Sequence, residues 1–205
     1  MQKTVEDKIL AAIKRAPKGT IFFTESFVHI ANAKAASKAL QRLVAANKII
    51  RIATGMFLRP KESELLGTVL PGAEDIAHAI AKRDNARIVP TGVYALNILG
   101  LSPQVPMNAV YLTDGAARFV KVGKRTIKFK KVTPKNLAAK GAVSSMVIQA
   151  LRTIGKEKVT DGEIKKILEM LEKEDPENIY HDIKVAPEWI RQIMRKALND
   201  QYAGK

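Results

Sequence analysis

The chain has 205 residues, 46% of them hydrophobic, and carries 35 Lys and Arg against 20 Asp and Glu, for a net charge of +15. It has no cysteine, which excludes disulfides, thiolate zinc sites and a cysteine nucleophile and fits a reducing compartment. The 12 Gly and 9 Pro are scattered, no fixed-period repeat shows, Met1 is followed by the polar "QKTVEDK", and no apolar run nears the roughly 18 residues of a membrane span, so a folded cytoplasmic protein without a membrane partner is expected.

The charge is unevenly placed. There are 11 basic and 3 acidic residues up to Pro60, 13 and 6 from Lys61 to Lys140, and 11 and 11 from Gly141 onward. The first two thirds are therefore suited to a polyanion and the last third is neutral.

Val5, Ile9, Ala12 and Ile13 fall at helical spacing, and "APKG" closes this first helix at Arg15. A β-branched and aromatic run, "TIFFTESF", predicts a short strand, then a brief second helix from Thr24 through Ile30. From Lys34 to Ala46, Ala36, Ala39, Leu40, Leu43 and Val44 form one stripe and leave Lys34, Ser37, Lys38, Gln41 and Ala45 opposite. That second face is small, polar and basic, as a helix entering a major groove must be, and Gln41 has the amide to pair with an adenine edge. "KIIRI" and "MFLRP" then alternate as two strands about Ala53, Thr54 and Gly55, a hairpin turn with glycine for the positive φ. Helix, short strand, helix, helix, hairpin is the order of a winged helix-turn-helix. In it Lys34, Ser37, Lys38 and Gln41 would read bases, and Arg42, Arg51, Thr54 and Arg59 would anchor the backbone of double-stranded DNA.

"AEDIAHAIAKRDN" predicts a helix with Glu74 and Asp75 in its first turn, where the macrodipole favours anions. "RIVP" is a brief strand, and Gly92–Leu99 a helix stopped by Gly100. "AVYLT", "RFVKV" and "RTIKFKKV" predict an antiparallel meander in which Phe119, Ile127 and Phe129 face a core. Lys121, Lys128 and Lys130 would then line the other side, with Lys124, Arg125 and Lys131 near the ends. This second basic surface is either a solvated edge or a further contact for nucleic acid or an acidic protein.

The combination of "KIIRIATGMFLRP", "TGVYALNILGLSPQVPMNAVYLTDG" and the basic hairpin resembles the AbiEi antitoxins of type IV toxin-antitoxin (abortive infection, phage defence) systems, over Val5 to Val132. The resemblance implies an operon-encoded antitoxin. Its winged helix would repress its own promoter on repeated operators, as a homodimer or paired copies on DNA, and the following domain would counteract a nucleotidyltransferase-like toxin, commonly without a stable complex. The C-terminal helices depart from that pattern.

In the tail, "AVSSMVIQALRTIG" is an apolar-striped helix, Thr160 and Glu163 have capping-box spacing, and Pro176 and Pro187 mark two further helix starts. The expected fold class is thus α+β: an N-terminal winged helix-turn-helix (1–60), a central small α/β domain with an antiparallel meander (61–140), and a C-terminal helical bundle (141–205). His29, His78 and His181 lie at no metal-ligand spacing, no phosphate-binding glycine loop occurs, and Ser144 and Ser145 lack a nearby base in sequence. No catalytic, metal or cofactor site is expected, so the chain is not read as an enzyme, and the resemblance implies a transcriptional repressor and antitoxin. Two rivals remain at this point: a stand-alone winged-helix regulator, and a nucleic-acid-processing enzyme using carboxylates such as Asp114.

Overall fold

The Thr4 hydroxyl accepts from the Asp7 N–H (3.1 Å) while the Asp7 carboxylate accepts from the Thr4 N–H (3.0 Å), and this reciprocal cap starts α1 (Val5–Arg15). The structure, a computed structural model, describes residues 3–65 and 67–203. After β1 (Ile21–Phe23) comes a single 3-10 turn, Thr24–Phe27, where the pattern predicts a helix to Ile30. The Ser26 hydroxyl accepts from the Phe23 N–H (3.2 Å), and the N–H groups of Ile30 and Ala31 both return to the Phe27 carbonyl, so the chain closes in turns.

α2 (Ala33–Ala45) begins where the Asn32 side chain accepts from the Ala35 N–H (2.9 Å). It ends at Asn47, whose φ of 54° lets the Asn47 N–H reach the Val44 carbonyl (3.0 Å) and the Lys48 N–H the Leu43 carbonyl (2.9 Å). That stop turns the chain into β2 (Ile50–Ala53), and β3 (Met56–Leu58) follows after a two-residue turn. β3 lies between β1 and β2, antiparallel to both, and all three of its residues are buried. Ile9, Ile13, Phe27, Ala36, Leu40, Leu43, Ile49 and Phe57 form the core under this sheet, each large side chain contributing about 1.5–3 kcal/mol.

A two-stranded ladder the pattern did not predict, β4 (Glu62–Ser63) with β5 (Gly67–Thr68), precedes α3 (Ala73–Arg83). Next come β6 (Ile88–Pro90), α4 (Val93–Ile98), β7 (Asn108–Thr113), β8 (Arg118–Val122) and β9 (Arg125–Lys131). Their sheet order is β6-β7-β9-β8, and β7 runs parallel to β9, which corrects the predicted antiparallel meander. The cause is burial. Tyr111 faces Phe129 and Ala109 faces Ile127 in register, so the two strands with alternating buried residues pair directly. β8 buries none of its residues and takes the edge, and Phe119, predicted to face a core, is 69% exposed.

The remaining elements are α5 (Ala142–Ile154), α6 (Asp161–Leu171), α7 (Pro176–Ile183) and α8 (Glu188–Ala203). α6 opens with the capping box its spacing predicts, the Glu163 carboxylate accepting from the Thr160 N–H at 2.8 Å. These helices share one core with α4, in which Ala95 and Leu99 meet Val147, Leu151, Ile167, Ile179, Ile190 and Met194. The chain accordingly divides into two compact units, residues up to Ala79 with Val120–Lys124, and Ile80–Phe119 with the residues from Arg125 on. The fold class is α+β.

The N-terminus of α5 is capped from outside. Glu174 accepts from the Val143 N–H (2.8 Å), and the fully buried Asp182 accepts from the N–H groups of Lys140 (2.8 Å) and Gly141 (2.9 Å) and from the Ser144 hydroxyl. The Glu174 carboxylate and the Ser144 hydroxyl can approach this closely only because residue 141 lacks a side chain: a Cβ there would stand 2.5 Å from both Glu174 Oε2 and Ser144 Oγ. Gly141→Ala is therefore expected to destabilise the protein by about 1–3 kcal/mol in a denaturant melt. A melt like wild type would show that the two caps relax freely.

Asp114 supplies the second fold prediction. Its carboxylate accepts from Arg87 Nε (2.8 Å) and from the Arg87 N–H (2.8 Å), and these bonds hold its pKa below the usual carboxylate value. A lowered folded-state pKa stabilises above the unfolded value of about 3.9 and is lost as pH falls through the folded one. Asp114→Asn should therefore be less stable than wild type at neutral pH, with the gap narrowing below about pH 4. A gap that does not change with pH would contradict this.

Candidate nucleic-acid interface

α2 turns its apolar stripe inward, with Ala36, Ala39, Leu40 and Leu43 buried, because helical spacing and the Asn32 cap fix its phase. Lys34, Lys38, Gln41 and Arg42 are then exposed together along the opposite face, and Ser37 is half-buried at its margin. Lys34, Lys38 and Arg42 follow one another at four-residue steps, so three cations stand along one side of the helix with the Gln41 amide beside them. Arg42 Nη1 is 3.9 Å from Glu6 Oε2, a surface contact worth at most about 1 kcal/mol that leaves the guanidinium available to a phosphate. Lys48 is also exposed, just beyond the α2 stop. The run "KIIRI" predicts it in a strand, and only its place after Asn47 reveals it as a further cation of the helix end.

The β2–β3 turn is Thr54–Gly55, with Gly55 at φ 69°. The Thr24 N–H donates to the Gly55 carbonyl (3.1 Å), so the turn is tied to the start of the 3-10 segment. Arg51, opposite Phe57 in register, and Thr54 are both exposed. Arg59 behaves otherwise. Its guanidinium donates from Nη1 to the carbonyls of Lys14 (2.8 Å) and Ala16, at the C-terminal end of α1. The charge is spent on the helix's own unpaired carbonyls. Lys34, Lys38, Gln41, Arg42, Arg51 and Thr54 thus remain exposed on α2 and the hairpin, with Ser37 beside them, while Arg59 joins β3 to α1.

Of the second basic set, Lys121, Lys124, Arg125, Lys130 and Lys131 are exposed and Lys128 is half-buried, its Nζ 4.9 Å from the centroid of the Phe119 ring. Alternation along β9 divides them: Lys128 and Lys130 lie on one face, and Lys131 shares the phase of the buried Ile127 and Phe129. The set is not one continuous row.

The neutral helices hold a cluster that resembles catalytic machinery in composition. Ser144, His181 and Asp182 meet, but the Ser144 hydroxyl donates to Asp182 and His181 Nδ1 stands 2.7 Å from Asp182 Oδ1, so both partners address the aspartate. Sequence distance had hidden this group; its geometry is that of a helix cap. Among the described residues no group of three or more His, Cys, Asp or Glu is placed to hold a metal ion, and no helix is long and apolar enough to cross a membrane.

Arg51 and Arg59 should separate in experiment. Arg59→Ala is expected to lower stability by about 1–3 kcal/mol, seen as a drop in melting temperature, with the salt dependence of duplex binding unchanged. Arg51→Ala should leave the melt alone and reduce the salt slope of duplex binding by about one. The reverse pattern would exchange their roles.

No curated protein matches this chain. Among solved structures it is similar to the crystal structure of RV2827C protein from Mycobacterium tuberculosis, with 11% sequence identity, a TM-score of 0.46, and coverage of 96% of this chain and 82% of the other. Residues 8–179 match the pattern of DUF6088, a family of unknown function, and with most of its length matched the chain belongs to that family.

Proposed function

We propose that this protein is a DNA-binding antitoxin, related to the AbiEi antitoxins, that represses its own operon through an N-terminal winged helix and counteracts a nucleotidyltransferase-like toxin. The observation that carries the DNA half is the exposed face of α2, where Lys34, Lys38 and Arg42 flank Gln41 with no bulky side chain among them. Sheet order β1-β3-β2 beneath that helix supports the winged-helix reading, because β3 returns from the hairpin to pair with the strand that precedes the 3-10 turn. Lys34, Lys38 and Gln41, with Ser37 at the margin, then face base edges, while Arg42, Arg51 and Thr54 meet phosphates. Each α2 carries one reading face, so repeated operator sequences would be filled by paired copies. The antitoxin half rests on the resemblance alone, and the helices from α5 on, which form a bundle in this reading, have no assigned part in it.

The neutralising role is tested by coexpression. Growth of cells carrying the gene adjacent in the operon should be arrested without this protein and restored with it, while a neighbour that is not toxic would leave a stand-alone regulator. The repressor role has its own variant. Gln41→Ala should relax discrimination at one operator base pair by about 1–3 kcal/mol, measured as lost repression of a promoter fusion with binding to non-specific duplex retained. Unchanged repression would remove Gln41 from base reading.

A further inference from the structure

The exposed phenylalanine of β8 has no place in the duplex interface just described. Phe119 is held outward by its neighbour: Arg118 Nη2 makes an ion pair with Asp84, and alternation then commits Phe119 to the opposite face. A shift of one residue, which would turn the ring to the half-buried face of β8, would break that pair. On the Phe119 face stand Lys128, with Nζ 4.9 Å from the ring centroid, and the exposed Lys130. In β7 the register partners of these two lysines are Val110 and Leu112, both only half-buried. Neither lysine is ion-paired with a carboxylate among the described residues.

An exposed ring with one lysine lying over one of its faces and a second exposed lysine on the same side of the sheet has a definite complement. Cations alone would take any polyanion, including duplex DNA, but in a duplex the base faces are stacked on one another and have nothing to offer the ring. A single strand presents phosphates for lysine and an open base for phenylalanine in the same few ångströms. We propose that Phe119, Lys128 and Lys130 form a binding platform for single-stranded nucleic acid, with one base stacked on the face of Phe119 away from Lys128 and the adjoining phosphates held by the two lysines. The platform is independent of the duplex-reading face on α2.

The test uses the full chain and fluorescence anisotropy with labelled oligo(U) and oligo(dT) of about 12 nucleotides and a duplex of the same length. Phe119→Ala should weaken single-strand binding by about 5- to 100-fold and leave duplex binding unchanged, and Phe119→Trp should restore it. Lys130→Ala should lower the single-strand salt slope by about 0.7. The side chain of Phe119 is already in solvent, so its removal does not threaten folding, and circular dichroism of each variant checks this. The ratio of oligo(U) to oligo(dT) affinity reports whether RNA or DNA is preferred. Single-strand affinity unchanged in Phe119→Ala, or weakened equally for single strand and duplex, would overturn the platform. Lys38→Ala, which should affect only the duplex, keeps failure of the α2 interface distinct from failure of this one.

Discussion

The N-terminal unit depends on β3. Its three residues are buried, it bonds β1 on one side and β2 on the other, and its continuation at Arg59 clasps the end of α1. β1 and β2 are separated in sequence by the whole of the 3-10 turn and α2, so a single central strand closes that loop and pins both of its ends. With the ends fixed, α2 has only one way to bury Ala36, Leu40 and Leu43, and its basic face is turned outward as a consequence. Weakening β3 would release every element on which the proposed interface stands.

The C-terminal unit solves a different problem. α5 lies against α4, α6 and α7, and its first turn starts at Gly141 without a capping side chain of its own. Glu174 and Asp182, brought from the α6–α7 connection and from α7, occupy those N–H groups. This arrangement couples three helices through one helix end, and the exposed ion pairs of α8, such as Arg191 with Glu188, are minor beside it at about 0–1 kcal/mol each. It also gives the meeting of Ser144, His181 and Asp182 a structural part, since Asp182 accepts from two main-chain N–H groups and from the serine and touches His181 Nδ1.

Much of this was legible in local pattern. The stripe of α2, the prolines that open α7 and α8, and the Thr160–Glu163 cap are set by spacing within a few residues, where one physical rule acts at a time. Long-range pairing was not legible. "RFVKV" and "RTIKFKKV" predicted neighbours in a meander, and only the competition for burial between β8 and β9 decides that β9 joins β7 in parallel. Arg59 read as a phosphate anchor because a cation after a hairpin looks the same whether it meets DNA or a helix end 43 residues earlier. The meander predicts Phe119 on the inner face with Ile127 and Phe129, and the opposing constraint from Arg118 and Asp84 spans 34 residues.

The proposal as a whole joins a basic helix face, held outward by a small sheet, to a chain whose helices from Gly141 onward carry no excess of charge. Its central claim is that α2 reads sequence and does more than hold phosphates. Fluorescence anisotropy against the DNA upstream of the protein's own gene and against a scrambled duplex, at two salt concentrations, tests that claim most directly. The account predicts tighter binding to the upstream duplex at both salts, with a difference between the two duplexes that survives as the electrostatic contribution is screened. Equal affinities that fall together with salt would contradict it and reduce the N-terminal unit to a charged clamp.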